Sequence, residues 1–247
     1  MKKRIIDRDA YGHEVYDFHR GQGGYEIVER DDGHVDISGG PAAYFAEFRT
    51  WSPHEKAAMK YVTGRVLDVG CGAGRVALHL QKKGHRVTGI DTAPLAARVC
   101  RLRGVKNVRV LPLAQVGPSL GTFDTIVMMG NNFGLFGSQR MAHRLLKRLD
   151  RITSPDARIV AETLDPYRTT NESHLRYQAF NRSRGRMSGQ VRIRIRYQAH
   201  ISPWFDYLFV SPNELRALLK GTGWKVSRLL ASGGPTYIAV LKKIATR

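Results

Sequence analysis

Apolar positions along the chain follow two periods, and the change from one to the other marks its elements. Five short runs, Arg65–Val69, Arg86–Ile90, Val108–Leu111, Thr125–Met129 and Arg158–Thr163, are dense in Val, Ile and Leu. Such runs fit strands buried on both faces. Between them, Gly74–Lys83, Pro94–Arg103 and Gln139–Arg151 carry apolar residues at helical spacing. The first two stop at Gly84 and Gly104, where glycine's tolerance of left-handed backbone ends a helix. Strands alternating with helices in this way predict a parallel sheet covered on both faces.

The flanking regions are patterned differently. Tyr25–Glu29 and His34–Ile37 surround Asp31-Asp32-Gly33, which reads as a hairpin turn. After the break at Gly39-Gly40-Pro41, two short helical patterns cover Ala42–Phe48 and Pro53–Tyr61, with Ser52 as N-cap of the second. Residues 1–64 therefore predict a cap of hairpin and short helices ahead of a body at 65–247. An insertion at 165–204 interrupts that body. Within it Val191–Tyr197 alternates strictly, so Arg192, Arg194 and Arg196 share one face. Asn181–Arg186 just upstream reads as a mobile arginine loop. Ser211-Pro212-Asn213-Glu214 is a capping box with proline at the first helical position. Trp224–Leu230 and Tyr237–Leu241 then read as two strands with no helix between them.

The chemistry concentrates at Val66-Leu67-Asp68-Val69-Gly70-Cys71-Gly72-Ala73-Gly74. A strand runs into a glycine loop, a helix opens directly after it, and the next strand ends on Asp91. This is the form of a nucleoside-binding βαβ unit, in which glycines admit the ligand to the backbone and the acid accepts from ribose hydroxyls. A dinucleotide fingerprint needs its last glycine at the place held here by Arg75. The stretch instead resembles the first motif of the class I S-adenosylmethionine-dependent methyltransferases. That resemblance implies a Rossmann-like, mostly parallel seven-stranded α/β sheet whose last strand is antiparallel, formed here by the two C-terminal strands. It also implies S-adenosyl-L-methionine as cofactor. The cradle would comprise Asp68, Gly70, Cys71, Gly72 and Gly74, with Asp91 and Thr92 at the ribose. Many family members place an acid after the third strand, and here Gln115 would have to substitute.

Ligands of open parallel sheets bind beyond the carboxyl ends of the strands. Asn131 and Asn132 follow the fourth strand, where the resemblance places the segment beside the reacting centre. Neither is followed by proline, which departs from the signature of many base N-methyltransferases. Glu162, Asp165 and Tyr167 follow the fifth strand and are the candidate general bases. Tyr44 and Trp51 of the cap, with Asn132, Arg194 and Arg196, are candidate acceptor contacts, the arginines as a wall over the site's mouth. No metal-ligand spacing is apparent.

Composition narrows the partners. The formal charge is +19, with a slight acidic excess before residue 65 and a basic body after it. Such a field attracts nucleic acid, anionic membranes or small anions. Two cysteines, Cys71 and Cys100, offer no disulfide framework, so a reduced cytoplasmic protein is expected. The start Met1-Lys2-Lys3-Arg4 leads into charged residues and not an apolar run, so neither a signal peptide nor membrane association is expected. The expected function is methyl transfer by in-line displacement to a small, anionic molecule. The alternatives are RNA methylation on the basic body, and a non-catalytic nucleic-acid or regulatory binder with a vestigial cofactor fold. The oligomeric state is left open.

Overall fold

A computed structural model describes residues 7–244. The N-terminal part holds α1 (Ala10–His19), the hairpin β1 (Ile27–Arg30) and β2 (Val35–Ile37), α2 (Ala42–Phe45) and α3 (Pro53–Ala58). The body continues through β3 (Arg65–Val69), α4 (Arg75–Lys82), β4 (Arg86–Asp91), α5 (Pro94–Leu102), β5 (Val108–Val110), β6 (Phe123–Met128), α6 (Gln139–Asp150) and β7 (Thr153–Leu164). Next come α7 (Glu172–Ser183), β8 (Gln190–Tyr197), β9 (His200–Ile201), β10 (Phe205–Leu208), α8 (Pro212–Leu218), β11 (Trp224–Ala231) and β12 (Thr236–Lys243).

The main sheet has seven strands in the order β11-β12-β7-β6-β3-β4-β5. β12 runs antiparallel to both β7 and β11, and the other pairings are parallel. This is the predicted Rossmann-like sheet. Alternate residues of each strand feed opposite cores. Leu67, Val69, Ile126, Met128 and Ile159 pack with Leu145, Leu146 and Leu149 of α6 and Leu215 and Leu218 of α8. Val66, Val87, Val127 and Val160 pack with Val76, Ala77 and Leu80 of α4, Ala97 and Cys100 of α5, and Ala58 of α3. Cys71 and Cys100 are free thiols, both buried, with their sulfurs 3.9 Å apart. Among the described residues no helix is long and apolar enough to cross a membrane.

The second sheet crosses the division expected at residue 64. Its order is β10-β8-β1-β2, with β9 on the edge of β8, so the N-terminal hairpin and the insertion strand form one roof. β1 pairs antiparallel with β8, placing Glu29 opposite Arg194 and Val28 opposite Ile195. Two local readings need correction. Residues 10–19 form a helix that was not anticipated; Asp9 caps it by accepting from the Gly12 N–H, and Asp9 also accepts from Leu95 of α5 at 3.0 Å. Asn181–Ser183 close α7 and are not loop. The Asn181 amide donates to the carbonyls of Ser188 and Gln190 and folds the following turn back onto the helix.

The arginine face of β8 finds an acid within the roof. Glu29 accepts from Arg194 at 2.8 Å through both oxygens, and it also pairs with Arg196. Arg194 lies over the Trp204 ring as well. Hydrogen bonds from Arg194 and then Arg196 hold the Glu29 carboxyl down at about 2, from an ordinary 4.5. A depressed carboxyl stabilises the fold fully above its unfolded value, and the effect is lost as pH falls through its folded value. Melting temperatures of the wild type and Glu29→Gln should therefore differ at neutral pH and converge as pH falls from 4.5 towards 2. A difference that stays constant across that window would contradict the role given to Glu29.

Candidate active site

The candidate site lies beyond the carboxyl ends of β3, β4, β6 and β7. β3 ends into the glycine loop, where the Gly70 and Cys71 N–H groups donate to the Ile90 carbonyl at 2.9 and 3.1 Å. That pair of bonds holds the loop against the end of β4. Asp91 completes the corner: one oxygen accepts from the Gly72 N–H at 2.8 Å and the other from Ala93 at 2.9 Å. Each oxygen keeps a lone pair for a ribose hydroxyl. Burial raises the Asp91 carboxyl. Asp68, on β3 just ahead of the glycine loop, is pushed up to about 7, chiefly by burial, and its Oδ2 meets no hydrogen-bond partner among the described residues.

Two glycines are required by what approaches them. Gly70 has φ +71, and a Cβ there would lie 2.4 Å from Asn132 Nδ2. Gly72 has φ +50, and a Cβ there would lie 2.4 Å from the Tyr11 hydroxyl. Asn132 explains the first approach: its amide donates to the carbonyls of Val69 and Gly70 at 3.1 and 2.9 Å. It thereby ties the loop after β6 to the glycine loop. Asn131 adopts left-handed backbone, φ 63, and its Oδ1 is buried without a partner among the described residues. Its carbonyl accepts the Tyr207 hydroxyl at 2.6 Å. Glu162, at the end of β7, accepts from the Gly130 N–H at 2.6 Å, and burial raises its carboxyl.

The structure thus brings Asp68, Gly70, Gly72, Asp91, Asn131, Asn132 and Glu162 to one strand-end cluster. Cys71 contributes its backbone, while its thiol turns into the core beside Gly89. Gly74 packs the loop against Cys100 and Val105. Thr92 and Gln115 are exposed on the rim, Gln115 in a 3-10 turn after β5. Asp165 and Tyr167 make their hydrogen bonds elsewhere: Asp165 accepts from the Tyr167 N–H, and the Tyr167 hydroxyl donates to Glu214 at the start of α8. Trp51 is buried beneath Arg75, with its indole N–H donating to the Ala46 carbonyl, so it packs the cap. Tyr44 reaches the site from α2. Arg194 and Arg196 are held by Glu29.

Four residues at the site were not anticipated. Tyr11 and Glu14 come from α1, Glu26 precedes β1, and Tyr207 comes from β10. The sequence carried one usable signal, Asp9 as an N-cap ahead of Tyr11, Val15 and Phe18 at helical spacing. Among the described residues, His34, Asp36 and His174 also place ligand-type atoms within 4.8 Å of one another in the roof. Their separation along the chain hid this grouping.

A family profile of the methyltransferase domain matches residues 42–229. The chain belongs to this methyltransferase family. A SAM-dependent methyltransferase from Bacteroides fragilis, crystallised with S-adenosyl-L-homocysteine, is similar over 96% of both chains, with 27% identity and a TM-score of 0.81. The CcbJ methyltransferase of Streptomyces caelestis shares the fold at 14% identity, with a TM-score of 0.64 over 96% of this chain and 98% of that one. A ubiquinone biosynthesis O-methyltransferase from Methylocella silvestris is 35% identical over 83 residues, 31% of this chain and 32% of that protein. The chain thus spans about a third of the length of that curated relative.

The residues of this chain fit an S-adenosyl cofactor of the kind crystallised with the Bacteroides fragilis neighbour. Gly70 and Gly72 present no side chain at the strand ends, Asp91 keeps acceptor capacity, and Asn131 Oδ1 and Asp68 Oδ2 are buried without a hydrogen-bond partner among the described residues. Asn132→Ala should leave the Val69 and Gly70 carbonyls without their amide donor, at a cost of about 1–3 kcal/mol. Urea unfolding should register this loss, and calorimetry should show weaker binding of S-adenosylhomocysteine. Unchanged affinity would refute the tie between the two loops. Gly72→Val should abolish binding altogether, because its Cβ occupies the place of the Tyr11 hydroxyl.

Proposed function

We propose that this methyltransferase acts on a small molecule enclosed between the glycine loop and the roof sheet. The observation that carries this reading is the ring of tyrosines over the strand ends. Tyr11 stands over Gly72, its ring edge-on to Tyr44 at 5.1 Å, and Tyr207 bonds to the Asn131 carbonyl. Burial and neighbouring acids raise all three phenols well above their ordinary value. They therefore remain protonated donors across the physiological range.

S-adenosylmethionine supplies a methyl group already activated on a sulfonium. The protein's part is to align an acceptor and to exclude water, and alignment alone can lower a barrier by about 7–11 kcal/mol. Asn132 and Asp91 hold the glycine loop in place, and Glu162 fixes the loop after β6 through the Gly130 N–H. Glu162, buried and raised, is the candidate base nearest that loop for an acceptor arriving with a proton. The arginine strand no longer supports an anionic acceptor, because Glu29 engages both Arg194 and Arg196.

RNA methylation is the second reading, and the basic charge bears on it. A cleft of about 650 Å³ is lined by Arg65, His85, Arg86, Lys106 and Arg109. It lies at the amino-terminal ends of β3, β4 and β5, the edge opposite the glycine loop. A strand bound there would not present a base to the tyrosine ring. Labelled methyl transfer from S-adenosylmethionine into a cell extract, separated into small-molecule, protein and nucleic-acid fractions, tests the choice. Label is expected in the small-molecule fraction with a weak salt dependence. Label in RNA, falling steeply as salt rises, would overturn the enclosed-acceptor reading.

A further inference from the structure

Glu14 and Glu26 form a buried acidic pair that the reaction described so far does not use. They are 1% and 4% exposed. Glu14 Oε1 accepts from the Glu26 N–H at 3.0 Å, and Glu26 Oε1 accepts from the Tyr44 hydroxyl at 2.7 Å. Among the described residues, the Oε2 of each meets no donor. Burial first, and then the neighbouring acid, raises Glu14; burial also raises Glu26, against the Tyr44 hydrogen bond.

The surroundings make this pair unusual. A chain with a formal charge of +19 supplies, among the described residues, no lysine or arginine bonded to either carboxyl. Two buried acids without a cation are costly, and that cost falls when a positive group enters. A chain of aromatic contacts links the pair to the glycine loop. Tyr44 binds Glu26, Tyr11 stacks edge-on to Tyr44, and the Tyr11 hydroxyl stands over Gly72. Tyr207 closes the other side above Asn131. Aromatic faces together with carboxylates recognise ammonium groups.

We propose that the acceptor is an amine, and that Glu14, Glu26 and Tyr44 form the subsite that receives it as an ammonium. This inference rests on the small-molecule reading of the same site and names the acceptor's class. An ammonium entering the subsite passes one proton to the acidic pair. Its freed nitrogen lone pair then takes the methyl group, forming one N–C bond while the C–S bond breaks and its electrons remain on sulfur. The product leaves as an N-methylammonium, and the pair returns its proton to solvent.

The test is calorimetric titration of benzylamine, benzyl alcohol and benzoate into the full chain saturated with S-adenosylhomocysteine. Benzylamine should bind about tenfold more tightly than benzoate, and Glu26→Gln should weaken benzylamine by about tenfold, the scale of one charge-assisted contact. S-adenosylhomocysteine affinity should stay within about threefold in that variant. Tyr44→Phe, which keeps the ring, should weaken benzylamine by a smaller factor and serves if Glu26→Gln unfolds. Absence of benzylamine binding by the loaded chain would overturn the proposal. So would benzoate binding as tightly, or benzylamine affinity unchanged in the variants. Failure of the wild type to bind S-adenosylhomocysteine is a separate result; it would remove the site itself, and this inference with it.

Discussion

The Asn132 amide is the interaction on which the rest of the site depends. A parallel sheet ends in carbonyls that its own ladder cannot pair, and at β3 two of them, Val69 and Gly70, face the cofactor end. One planar side chain from the neighbouring loop satisfies both. That choice fixes the spacing between the glycine loop and the loop after β6. It also forbids a side chain at Gly70, where the amide sits. The glycine motif is therefore shaped from two directions, by what the ligand needs below it and by what the second loop places above it.

Much of this arrangement is legible in the chain because its causes are local. The five central strands announce themselves through apolar density, and the helices through their spacing and terminal glycines. Gly70, Gly72 and Asp91 lie within a single βαβ unit, so their order alone places them at one strand edge. Asn131 and Asn132 follow from the rule that sites gather at carboxyl ends. What local pattern cannot supply is the partner of a residue. Alternation correctly put Arg194 and Arg196 on one face, but the acid that holds them comes from the first hairpin. Trp51 and Tyr44 looked alike as cap aromatics; one became a packing residue under Arg75 and the other reached Glu26.

The same limit hid the acidic pair. Glu14 sits on a short amphipathic helix and Glu26 before a strand, and each taken alone looks like an ordinary surface acid. Only the docking of α1 against α5, through Asp9 and the Leu95 N–H, turns that helix face inward. The roof sheet then covers Glu26. Electrostatics follows topology here: a strongly basic protein buries two acids, Glu14 and Glu26, side by side beneath its roof. A uniform view of net charge would have placed the opposite sign there.

The roof has a consequence for how the molecule comes to exist. Its central pairing joins β1 to β8, with Glu29 and Arg194 separated by 165 positions. During synthesis the hairpin therefore waits, with one edge unpaired, while β3 to β7 emerge. Short strands and charged side chains along that edge discourage it from joining another chain in the interval. The strand ends that carry the glycine loop, Asp91 and Asn132 can be in place before β1 finds its partner. The main sheet itself is finished only afterwards, when β11 and β12 emerge and β12 pairs with β7.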